Sequence, residues 1–110
     1  MSRSDQVYIQ DILDSIEFIL KYIENKTELE FLNDSMLQDA VIRRFEIIGE
    51  AATKISDTVK DQNPGVQWRL MKAMRNKLIH EYFGVSAVTI YSTIHLDLPI
   101  LKQQLSSLII

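Results

Sequence analysis

Residues 9–24 run Ile9-Gln10-Asp11-Ile12-Leu13-Asp14-Ser15-Ile16-Glu17-Phe18-Ile19-Leu20-Lys21-Tyr22-Ile23-Glu24. Ile9, Ile12, Leu13, Ile16, Ile19, Leu20 and Ile23 recur at the spacing that lines one side of an α-helix. Asp11, Asp14, Glu17, Lys21 and Glu24 fall on the other faces. A stripe this regular is a core face or a dimer seam. Ser4 or Asp5 is placed to cap its start, and Asn25-Lys26-Thr27 to end it.

The same period continues outward. A short linker follows, with Leu29, Phe31 and Leu32 expected to tuck back onto the bundle. Asn33, Asp34 and Ser35 are good cap residues, opening a second helix from about Met36 to Val59. Gly49 interrupts that pattern at a cost of about 1 kcal/mol relative to alanine. Close approach of a neighbouring helix, or a slight bend, would account for it. Asp61-Gln62-Asn63-Pro64-Gly65 is the strongest break in the chain. A third helix is expected from about Val66 to Tyr82, with Gly84 placed for the left-handed residue after it. A fourth begins near Ser86, and Pro99 splits the remainder because it lacks the N–H a helix interior needs. The apolar tail, Leu98, Ile100, Leu101, Leu105, Leu108, Ile109 and Ile110, is expected to pack. The reading is all-α: one domain over residues 1–110, built as a bundle of four or five helices.

Composition narrows the function. The 110 residues are 46% hydrophobic and 25% charged, an ordinary globular balance. With no cysteine, disulfides, thiolate zinc sites and cysteine nucleophiles are excluded. The polar start lacks the apolar core of a signal peptide, and no apolar run reaches the ~18 residues of a membrane span. A cytoplasmic protein is expected. The net charge of −3 hides an asymmetry: residues 1–63 hold 13 acids and 7 bases, whereas residues 64–82 set Arg69, Lys72, Arg75 and Lys77 against Glu81 alone. An anionic ligand would be steered to that segment.

At about 100° per residue, Lys72 lies about 60° from Arg75, Asn76 about 100°, Arg69 about 120° and His80 about 140°. Leu70, Met71, Met74, Leu78 and Tyr82 cover the opposite arc. Such a face can support phosphodiester cleavage. A histidine moves protons near neutral pH, and a guanidinium clamps phosphate oxygens and stabilises developing charge. An amide can orient either group. Together these suffice for attack of an RNA 2′-hydroxyl on its own phosphate, without metal or cofactor.

The run Met74-Arg75-Asn76-Lys77-Leu78-Ile79-His80-Glu81-Tyr82 resembles the defining motif of HEPN domains: arginine, four residues with a polar one first, histidine, one residue, tyrosine. Ile48-Gly49-Glu50-Ala51, Trp68-Arg69 and Leu96-Asp97-Leu98-Pro99 are similar to the HepT branch of that superfamily. The resemblance implies a helical bundle that forms a homodimer and is the ribonuclease toxin of a toxin–antitoxin pair, metal-independent, with tRNA among its target class. By position, His80 would be the acid/base, Arg75 the phosphate clamp and Asn76 an orienting group, with Arg69, Lys72 and Lys77 binding RNA. Tyr82 would support phosphate binding and would also be adenylylated by a minimal nucleotidyltransferase antitoxin.

On an ideal helix Tyr82 points about 160° from His80. Either the helix ends by His80 and Tyr82 turns outward, which we favour, or Tyr82 packs inward unmodified. Other candidates have plainer readings. Glu46 and Glu50, one turn apart, could hold a divalent metal, but pairing with Arg43, Lys54 or the basic helix fits better. Arg43 and Arg44 could extend an RNA surface, or Arg44 could pair internally. Trp68 could stack on a base, though its angle favours partial burial. His95 reads as a helix-end or packing histidine. A second function class stands beside the ribonuclease: a non-catalytic helical partner that binds a minimal nucleotidyltransferase.

Overall fold

A computed structural model describes residues 1–80 and 87–108, with the backbone alone for residues 77–80. Among these residues every regular element is helical: α1 (Arg3–Tyr22), α2 (Glu28–Leu32), α3 (Ser35–Lys54), α4 (Asp57–Gln62), α5 (Trp68–His80), α6 (Ala87–Leu96) and α7 (Leu98–Ser106). The all-α bundle is as expected. α3 lies between α1 and α5 and packs along both; α7 crosses α1 and α6, and α2 closes the end near α6. No helix among the described residues is long and apolar enough to cross a membrane.

The stripe of α1 becomes core as its spacing predicts. Ile9, Ile12, Ile16 and Ile19 are fully buried, in one core with Val41, Phe45 and Ile48 of α3, the helix α1 packs along. Burial of side chains this size stabilises by about 1.5–3 kcal/mol each. From the tail, Leu98, Leu101 and Leu105 are also fully buried, whereas Ile100 is exposed. Ile109 and Ile110 lie outside the described residues. Pro99 sits in the first turn of α7, where its missing N–H costs nothing.

Four local expectations need correction. The cap of α1 is Ser2 rather than Ser4 or Asp5: its hydroxyl accepts from the Asp5 N–H at 3.0 Å. The linker after α1 is itself a helical turn, closed by a reciprocal cap between Thr27 and Glu30. Phe31 reaches the core as expected, but Leu29 stays exposed. The described helix α5 begins at Trp68 rather than Val66. The ends expected at Tyr82 and Gly84, and the cap at Ser86, lie outside the described residues.

The largest correction is the break in the second helix. It stops at Lys54, Ile55 is extended (φ −71°, ψ 138°), and Ser56 caps a new helix. The group that holds the corner sits 51 residues away. Asp5 is buried, and its carboxylate accepts from the Ser56 N–H at 2.8 Å, the Ser56 hydroxyl at 2.9 Å and the Ser2 hydroxyl at 2.9 Å. The bend keeps Ile55 and Val59 in the core while clasping the start of α1 to the α3–α4 corner.

The Ser56 N–H above all holds the Asp5 carboxyl below its ordinary value of 3.8; burial opposes this, and the Ser2 and Ser56 hydroxyls add to it. A depressed folded-state pKa stabilises above the unfolded value, and that contribution is lost as pH falls through the folded value. Asp5→Asn is therefore expected to lower Tm at pH 7. The gap from wild type should close on titration below pH 3.8, read by circular dichroism melts.

Candidate active site

The contact between α3 and α5 positions the chemistry. A Cβ built on Gly49 would overlap Arg75 Cβ, lie 2.7 Å from Arg75 Cγ and sit 3.1 Å from the Met71 carbonyl oxygen. Gly49 is thus the close approach expected of it, and its counterpart is the stem of Arg75. Met71 is fully buried on the inner side of α5, while Arg69 and Lys72 are exposed on the outer side. Leu70, Met74, Arg75 and Asn76 are half-buried between these extremes, and the side chains of Leu78, His80 and Tyr82 lie outside the described residues.

Arg75 is half-buried and held at several points. Its stem lies on Gly49, its Nη1 donates to Asn76 Oδ1 at 3.1 Å, and its Nη2 lies 3.8 Å from Glu50 Oε1. Its Nε is buried and finds no acceptor among the described residues. Arg75 and Asn76 are therefore brought together as a pair. His80 is the last residue of α5 as described; its side chain and that of Lys77 lie outside the described residues, as does all of Tyr82. The two alternatives for Tyr82 fall there too.

Arg69 and Lys72 open onto a shallow groove between α5 and the α3–α4 corner. Lys60 adds a third cation to that groove, and Asp57 and Asp61 add two carboxylates. This stretch is charged on both sides, not purely cationic. Trp68 also lines it, 9% exposed, with its indole N–H donating to the Asn63 carbonyl at 3.0 Å. Burial and that bond make it a packing residue.

Glu46 pairs with Arg43 at 3.3 Å and Glu50 with Arg75. Among the described residues no three His, Cys, Asp or Glu side chains converge. The Arg44 guanidinium sits 4.2 Å from the centroid of the Phe18 ring, bridging α3 to α1. His95 lies in the last turn of α6 and packs on Tyr91 at a tilt of 54°, with ring centroids 4.3 Å apart. Sequence reasoning missed Arg44 on Phe18, the Asp5 clasp and the acids facing Arg69 and Lys72. Each depends on how separate helices pack against one another, and no local spacing signals it.

The helix order and the Gly49–Arg75 contact give the motif a place in a fold, and comparison gives it a family. A family described as ribonuclease HepT-like matches residues 12–108. The chain belongs to it. A HepT-like relative from Thermococcus cleftensis, named "Probable ribonuclease HepT", is 42% identical over 108 residues, 98% of each chain. Relatives from Methanocaldococcus jannaschii and Caldanaerobacter subterraneus are each 33% identical over 107 residues. These span 97% of this chain and 88% and 96% of theirs, and both are named provisionally as RNases. No solved structure gives a significant match. The relatives' names support a ribonuclease of the HepT family.

Proposed function

We propose that this HepT-like chain is a metal-independent ribonuclease, the toxin of a toxin–antitoxin pair, acting on RNA with tRNA as a target class. The observation that carries the reading is Arg75: a half-exposed guanidinium at the helix surface, fixed at its stem by Gly49 and steadied by Asn76. Its remaining donors match phosphate oxygens in fork geometry.

His80, one and a half turns along α5, takes the proton of the RNA 2′-hydroxyl or returns one to the leaving 5′-oxygen. The 2′-oxygen forms a bond to phosphorus as the bond to the 5′-oxygen breaks. Arg75 bears the charge that builds on the phosphoryl oxygens. Asn76 orients the guanidinium. Arg69, Lys72 and Lys77 bring the strand in along α5, and Asp57 and Asp61 confine it to that path. Two copies pairing as a homodimer would bring two motif helices to one cleft. The partner nucleotidyltransferase silences the enzyme by adenylylating Tyr82, which adds bulk and negative charge beside the RNA site.

The test is the chemistry of the cut ends. Incubation with unfractionated tRNA is expected to yield 2′,3′-cyclic phosphate and 5′-hydroxyl termini, read by end-specific ligation. Terminal 3′-hydroxyls with 5′-phosphates would contradict attack by the 2′-hydroxyl. Co-expression with a minimal nucleotidyltransferase antitoxin is expected to add one AMP to the wild type and none to Tyr82→Phe, read by intact mass.

A further inference from the structure

α3 brings a carboxylate to the side of α5 that carries the clamp. Glu50 follows Gly49 directly, so the register that seats the Arg75 stem also delivers Glu50 beside its head. Glu50 Oε1 lies 3.8 Å from Arg75 Nη2, an ion pair without a hydrogen bond. Both side chains remain open to water, Glu50 at 51% and Arg75 at 30%. Pairs this loose contribute little to stability. Arg75 does not need Glu50 to keep its place, because Gly49 holds its stem and Asn76 accepts from Nη1. Its buried Nε–H meanwhile has no acceptor among the described residues. Leaving a buried donor unmet is unfavourable, so this resting arrangement gives way when a better acceptor arrives. A phosphodiester offers two oxygens to the same fork.

We infer that Glu50 is the resting counter-ion of Arg75, standing where an RNA phosphate has to come, and that substrate displaces it. The inference rests on the reading of Arg75 as the phosphate clamp. Glu50 thereby sets the threshold at which RNA occupies the site: its carboxylate competes with phosphate for Nη2 and repels the strand that carries it. Glu46 supplies the comparison. It lies one turn earlier on α3, and its carboxylate is engaged by Arg43 at 3.3 Å rather than by Arg75.

The test titrates the full chain with a fluorescein-labelled 2′-O-methyl oligoribonucleotide of mixed sequence, which has no 2′-hydroxyl and cannot be cut. Glu50→Gln keeps the shape and removes the charge at an exposed position, so folding is undisturbed, checked by Tm. It is expected to tighten binding about two- to fivefold, the range of an exposed ion pair. kcat/KM on unfractionated tRNA should rise in step. Glu46→Gln is expected to tighten binding much less, and the gain from Glu50→Gln should vanish in an Arg75→Ala background. Unchanged or weaker binding by Glu50→Gln would overturn the inference. So would an equal gain from Glu46→Gln, which would mark a general charge effect, or a gain that persists without Arg75. Failure of the ribonuclease reading shows separately, as wild-type protein that leaves tRNA intact.

Discussion

Arg75→Lys is expected to lower kcat on tRNA by about 10²–10³-fold, the range seen when one donor to transition-state charge is lost. The substitution is chosen because it changes little else. Lysine keeps the Cβ and Cγ that lie on Gly49, so the α3–α5 contact survives and Tm should stay within about a degree of wild type. It also keeps the positive charge, so long-range steering and KM should move far less than kcat. What disappears is the planar fork. An ammonium is a point charge and cannot bridge two phosphoryl oxygens while also holding the Asn76 amide. Steady-state kinetics separate these quantities. A variant within about twofold of wild type in kcat would show that charge alone serves, and the clamp would have to be sought elsewhere.

Gly49→Ala is expected to damage both fold and function. A new methyl would meet Arg75 Cβ, which is anchored to the backbone of α5 and cannot swing aside as a side-chain tip could. Overpacking of this kind costs about 1–3 kcal/mol, against about 1 kcal/mol gained in helix propensity. The net is destabilising, and Tm should fall by several degrees. The larger effect is catalytic. If α5 moves out by about 1 Å, the Arg75 head moves with it, and misplacement on that scale costs on the order of 10²-fold. Gly49→Ala melted and assayed beside Arg75→Lys should be the less stable of the two. A variant with raised Tm and full activity would show that α5 does not press on Gly49 in solution.

Much of this fold is legible in the chain because it depends on local period. The isoleucines of α1 announce a buried helix face, and Asp61 to Gly65 announces the turn before α5. The break at Ile55 is harder, although Ser56 is a sound cap residue. Ile48, Ala51, Ile55 and Val59 keep helical spacing straight across it, so the apolar pattern argues for continuity. Asp5 clasps the corner, and its reach to Ser56 is set by tertiary packing. The site divides in the same way. Arg75, Asn76 and His80 are nominated by their order and types, and the angular reading sets them toward one side of α5, with the His80 side chain outside the described residues. That Gly49 lies beneath Arg75 and Glu50 beside it depends on how α3 and α5 cross. Arg44 illustrates the limit from the other side: its contact with the Phe18 ring has no signal in local spacing.

Cleavage of RNA by Arg75 and His80 without metal is tested most directly by one assay. Wild-type protein, confirmed free of AMP by intact mass, is incubated with total bacterial RNA in excess EDTA beside His80→Ala prepared identically. Cleavage by wild type and its loss by about 10²–10⁴-fold in the variant, the usual weight of a general acid or base, is the predicted result. Equal cleavage by both, or none by the unmodified wild type across RNA classes, would contradict it.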